Sequence, residues 1–138
     1  LPLQNTTQIA ASPLVVFSHG LGGSRNGYSY LARHFANNGI ASLHLQHVSS
    51  DKSVWVGNAF GLIERLAAAL QTNEAVARAQ DLSFALDMLL SSDLAKYVDK
   101  SRVAAAGHSY GANTALLAAG AQVRQDGIFI SLRTTSGL

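Results

Sequence analysis

Apolar positions fall into blocks whose spacing alternates between strand and helix. Residues 14 to 18, Leu-Val-Val-Phe-Ser, form a run rich in β-branched and aromatic side chains between Pro13 and a glycine cluster, the pattern of a strand buried on both faces. Tyr28, Leu31, Phe35 and Ala36 then recur at helical spacing, and Asn37, Asn38 and Gly39 stop the helix predicted from Tyr28 to Asn37. Ile40 to Leu45 reads as a second strand, and the polar stretch Val48 to Gly57, with Trp55 embedded in it, as a loop leaving that strand. Two helical patterns follow, Ala59 to Leu70 and Glu74 to Leu90. The second sets Val76, Ala79, Leu82, Leu86 and Leu89 along one face and Arg78, Gln80, Asp81 and Asp87 largely elsewhere. Arg102 to Gly107 is the third strand, Ser109 to Ala119 a helix of small residues, and Gly120 its stop.

The order βαβααβα predicts an α/β fold: a parallel sheet with helices on both faces, because parallel neighbours need right-handed crossovers. From Asp126 to Leu132, Ile128, Ile130 and Leu132 alternate with other residues, which fits a fourth strand or a small hairpin in a loop. With 138 residues, no internal repeat and no low-complexity linker, residues 1–138 read as one domain, too short for two.

Composition narrows the classes. Apolar residues make up 48% and charged residues 13%, against roughly 25% charge in an average soluble domain, which excludes disorder driven by charge. Ten Lys and Arg against eight Asp and Glu leave +2, with no basic block to follow a phosphate backbone, so nucleic acid is not an expected partner. The absence of cysteine removes disulfides, thiolate zinc sites and a cysteine nucleophile, and leaves the compartment open. No apolar stretch reaches the roughly 18 residues of a membrane span, and Leu1 to Ala11 lacks the pattern of a signal peptide. Leu1 in place of an initiator Met implies processing or trimming.

Gly107-His108-Ser109-Tyr110-Gly111 matches G-x-S-x-G, a pattern that arises by accident in roughly one chain in twenty of this length. Its setting raises its meaning. It follows an apolar strand directly and opens a helix, where a nucleophilic serine has to stand on a sharp, strained turn. Gly107 and Gly111 let strand and helix pass closely, and the turn lifts the Ser109 hydroxyl beside the helix N-terminus. An oxyanion formed there needs two N–H donors, one assigned to Tyr110 and the other to the loop after an earlier strand. His19-Gly20-Leu21-Gly22-Gly23 ends the first strand, with the Leu21 N–H as the candidate. The competing reading is that Ser109 merely caps the following helix.

Two nucleotide readings of the glycine loop fail on spacing. Arg25 stands where a third dinucleotide-binding glycine belongs, and Tyr28 replaces the lysine of a phosphate-binding loop. Of the five histidines, His19 and His108 sit inside the two motifs and read as hydrogen-bonding braces, while His34 reads as a surface residue. His44 and His47 flank the C-terminal end of the second strand, where α/β sheets bind ligands, so His47 is expected to line the site. As a metal pair they lack a third ligand, and no metal or cofactor is expected.

These residues resemble the α/β-hydrolase superfamily, and more closely the dienelactone hydrolase and platelet-activating-factor acetylhydrolase-like esterases. The matching stretches are Val15 to Ser24, Leu45 to Asp51, the helix around Arg78 to Leu86, and Ala106 to Gly120. The resemblance implies a small-molecule ester substrate, Ser109 as nucleophile, and Leu21 and Tyr110 as oxyanion donors. His19, Gly20, Gly22 and His47 would border the substrate. Dienelactone hydrolases use cysteine, so serine here favours simple ester chemistry.

The departure lies downstream. The superfamily's triad runs serine, acid, histidine along the chain, yet no histidine follows Ser109, and Asp126 is the acidic residue that does. Losing the triad histidine costs about a millionfold in turnover, so the isolated chain is expected to be nearly inert. Three explanations fit: a fragment of a longer hydrolase, a chain completed by a partner, or a homologue kept for binding or assembly. His47 as an upstream substitute base would break the usual order. In the superfamily's sheet order the first strand lies between the second and third, leaving two unpaired edges. The chain is therefore expected to be a homo-oligomer, domain-swapped, or joined to a missing half.

Overall fold

A computed structural model describes residues 10–125 and 128–131. The three predicted strands form β1 (Ser12–Ser18), β2 (Ala41–His44) and β3 (Val98–Gly107). They pair in parallel in the order β2-β1-β3, so β1 is central, as the superfamily's sheet order implies. The helices are α1 (Ser29–Asn37), α2 (Ala59–Ala69), α3 (Thr72–Leu90) and α4 (Tyr110–Ala118), with short 3-10 turns at Lys52–Trp55 and Asp93–Tyr97. Because β1→β2 and β2→β3 run in opposite directions across the sheet, right-handed crossovers put α1 on one face and α3 on the other.

The core lies on the α3 face. Leu14 and Val16 of β1 pack with Leu45, with Ala75, Ala79, Leu82 and Leu86 of α3, and with Leu117 and Ala118 of α4. The buried stripe of α3 also includes Arg78, which the pattern of apolar positions had put away from it. On the α1 face, Phe17 packs against Tyr28 at 4.7 Å and His44 at 5.1 Å between ring centroids.

The loop after β2 owes its shape to side-chain caps. The Asp51 carboxylate accepts from Ser53 N at 2.9 Å to start the first 3-10 turn, and Asn58 accepts from Gly61 N at 3.0 Å to start α2. On α2, Phe60 and Ile63 stay exposed. The tail takes the hairpin alternative. Strands β4 (Gln122–Gln125) and β5 (Ile128–Ser131) pair antiparallel, apart from the main sheet. Asp126 and Leu132 lie outside the described residues.

Candidate active site

Ser109 stands between the last residues of β3 and the first of α4 with φ 54° and ψ −120°. That backbone region is costly for any residue with a Cβ, about 1–3 kcal/mol, so packing must hold it there. The packing is visible at the two motif glycines. A Cβ on Gly107 would collide with the Gly111 carbonyl, and one on Gly111 with the Ser18 carbonyl of β1. The turn can therefore form only where strand, helix and central strand lie backbone to backbone. The Ser109 side chain makes no capping hydrogen bond to α4, against the reading of Ser109 as a simple helix cap. Ser109 is exposed, at the positive end of the α4 dipole.

The glycine loop after β1 lies against this turn. A Cβ on Gly20 would stand 3.3 Å from the His108 carbonyl oxygen and 3.5 Å from Ser109 Cβ. The Gly20 carbonyl accepts from His19 Nδ1 at 2.7 Å and from Gly23 N at 3.0 Å. In a trans peptide the next N–H points the opposite way, so these bonds aim the Leu21 N–H out of the loop. Among the described residues, neither Leu21 N nor Tyr110 N has a protein acceptor. The loop's far side is anchored by Gly22 N donating to Ser50 O at 3.0 Å and by Trp55 Nε1 donating to Gly22 O at 2.9 Å. The sequence pattern places Trp55 in the loop leaving β2 and gives no sign of this anchor.

His19 and His47 lie beneath the loop, each about 1% exposed or less. His19 Nδ1 donates to Gly20 O while Nε2 accepts from His47 N at 3.2 Å, and burial pushes its pKa down. His47 Nδ1 meets Asp81 Oδ2 at 2.8 Å and Nε2 meets Ser18 Oγ at 2.9 Å. Burial dominates its titration and holds it at about 4. The Asp81 hydrogen bond works against that, and the Arg78 charge works with it. These partners assign a neutral His47 that donates to Asp81 and accepts from the Ser18 hydroxyl. Expected to line the site, His47 is instead fully buried with both ring nitrogens engaged. His108, by contrast, is exposed, and its Nδ1 is hydrogen-bonded to the Tyr28 hydroxyl at 2.9 Å. That bond ties the serine turn to the start of α1.

Arg78 is the residue that sequence reasoning missed. It is fully buried and reaches β1, the loop after β2, and α4. Nε donates to Thr114 Oγ1 at 3.1 Å, Nη1 to Ser50 Oγ at 2.7 Å, and Nη2 to Ser18 Oγ at 3.1 Å and to the His19 carbonyl. Its Cζ lies 4.6 Å from the centre of the Tyr110 ring. Its spacing from Ala75, Ala79 and Leu82 was the available signal, since residues three and four apart share a helix face. Among the described residues there is no group of three or more His, Asp or Glu side chains placed to hold a metal ion. No described helix is long and apolar enough to cross a membrane.

Comparison with known proteins follows the same lines. The family model described as platelet-activating factor acetylhydrolase, isoform II, matches residues 4–60, which include β1, the glycine loop and β2. A comparison with curated proteins gave no match. Among solved structures, a ferulic acid esterase from Streptomyces cinnamoneus superposes with a TM-score of 0.63 at 29% sequence identity, over 80% of this chain. The match takes in 33% of that esterase, so this chain spans about a third of its length. The chain thus has a partial α/β-hydrolase fold, similar in its N-terminal part to a platelet-activating-factor acetylhydrolase and in structure to an esterase.

Proposed function

We propose that this chain is the nucleophile-bearing part of a serine hydrolase acting on carboxylic esters. The observation that carries the reading is the backbone of Ser109: a non-glycine residue at φ 54° on a strand-to-helix turn, exposed and not used as a cap. Ser109 Oγ attacks the acyl carbonyl, and the oxyanion takes the Leu21 and Tyr110 N–H groups. The alcohol departs with the serine's proton relayed through a base, and water then cleaves the acyl-enzyme to release the acid. Glycines 20 and 22 keep the loop close to the reacting carbon, while His19 and His47 support it from below. The triad acid and base come from outside the described residues. His47 is a poor candidate for that base because both its nitrogens are already committed.

A second reading is a binding or assembly module that kept this turn without turnover; among the described residues no histidine or carboxylate is hydrogen-bonded to Ser109. A fluorophosphonate probe separates the two. Labelling that maps to Ser109 and disappears in Ser109→Ala supports the hydrolase site. No labelling of the chain, alone or with candidate partner chains, supports the module. Ester turnover measured with and without those partners then tests whether the acid and base are supplied in trans.

A further inference from the structure

We infer that Arg78 is the positioning residue of the oxyanion cradle, a side chain that ties the glycine loop to the serine turn. The inference rests on the hydrolase reading of Ser109. Two peptide segments that must converge on one oxygen come from β1 and α4, over 80 residues apart in sequence. The guanidinium bonds to both. Nη2 holds the His19 carbonyl, directly before Gly20 and Leu21, and the Ser18 hydroxyl. Nε holds Thr114 Oγ1, whose hydroxyl in turn donates to the Tyr110 carbonyl at 3.1 Å. Nη1 holds Ser50 Oγ, and the Ser50 carbonyl accepts from Gly22 N, so the loop is gripped from its far side too.

The choice of side chain is informative. Among the described residues no carboxylate forms an ion pair with Arg78. All its acceptors are neutral, and the face of the Tyr110 ring covers the guanidinium. A buried, unpaired cation is a costly way to fill a core, and an apolar residue of similar volume would serve packing as well or better. What an apolar residue lacks is a planar fork of five donors able to reach three segments at once.

The test compares Arg78→Met, Arg78→Lys, Thr114→Val, Thr114→Ser and Ser50→Ala in the full chain, with each result corrected for the folded fraction. Three quantities are read: the maximal rate and the half-saturating concentration of fluorophosphonate labelling, and the order parameters of the Leu21 and Tyr110 amides from nuclear magnetic resonance relaxation. A positioning role lowers the labelling rate of Arg78→Met by roughly tenfold or more while leaving half-saturation within about twofold. Arg78→Lys recovers part of that loss. Thr114→Val costs roughly fivefold, the worth of one hydrogen bond, and Thr114→Ser restores the rate. The two amides fall from a rigid value of about 0.85 towards about 0.6 in Arg78→Met, or in Ser50→Ala and Thr114→Val should Arg78→Met not fold. Unchanged rates and order parameters per folded molecule overturn the inference. Should the wild type fail to label both alone and with the candidate partner chains, the hydrolase reading falls by itself, and the order parameters still decide whether Arg78 fixes the cradle.

Discussion

Acid should loosen this protein through His47 before its carboxylates matter. His47 is fully buried, and burial holds its titration at about 4, against 6.5 for an exposed histidine. Between those values the unfolded chain carries a proton that the native chain refuses, so the unfolded state binds more protons and stability rises with pH. The contribution is complete above about pH 6.5 and is lost progressively as the pH falls towards 4. At 1.36 kcal/mol per tenfold change, the full interval is worth about 3 kcal/mol, of which about 2 kcal/mol is gone by pH 5. His19, also pushed down by burial, adds in the same direction. Against a typical domain stability of about 5–15 kcal/mol this is a large share.

Urea unfolding at pH 7.5, 6 and 5 measures the loss directly, as a falling midpoint at constant slope. His47→Gln, less stable at neutral pH, should lose most of the pH dependence in this window. Asp81→Asn removes the group that favours the protonated ring, so His47 should titrate lower still when followed by its ring resonances. A His47 titration near or above 6.5, or a His47→Gln variant with the full wild-type drop, would refute the reasoning.

Ser109→Gly should raise stability by about 1 kcal/mol, because glycine occupies φ 54° without strain, and it should abolish probe labelling; urea midpoints and labelling read the two effects. Gly111→Ala should lower stability by at least about 2 kcal/mol, since its Cβ meets the Ser18 carbonyl, and a midpoint equal to wild type would mean the turn is looser than described. The chain should sediment at micromolar concentration as an oligomer, because β2 and β3 are the outer strands of the described sheet; a sharp monomer mass would count against this.

What could be read from the sequence was local. β1, the glycine loop and the turn at Ser109 each declare themselves within a few residues, through an apolar run and glycines at fixed offsets. The order of the three strands, with β1 in the middle, came instead from the resemblance to the superfamily. The floor of the site was illegible for the opposite reason. Arg78 finds its partners 28, 36 and 60 residues away in Ser50, Thr114 and Ser18. Each of those residues is small, polar and unremarkable in sequence. An arginine with charged and polar neighbours on its helix reads as solvated until the tertiary fold puts β1 and α4 against it. The same holds for His47, whose position after β2 suggested a residue lining the site but whose ring is fully buried between Ser18 and Asp81.

That floor contains a second serine, histidine and acid in line: Ser18, His47 and Asp81, with separations of 2.9 and 2.8 Å. Residue types and distances alone would select it over Ser109, which has no such partners among the described residues. The rest of the chemistry selects against it. Ser18 is fully buried in the central strand, its hydroxyl already accepts from Arg78, and an acyl carbon has no path to it. Ser109 is exposed, and two unpartnered amides flank its turn. A nucleophile needs an approach and a place for the oxyanion before it needs a base, because a base can be supplied by another segment or chain whereas a buried hydroxyl cannot be reached. In the reading proposed here, the relay is therefore structural support: it fixes the orientation of the His47 ring, keeps Ser18 oriented towards Arg78, and so carries the glycine loop on which Ser109 depends.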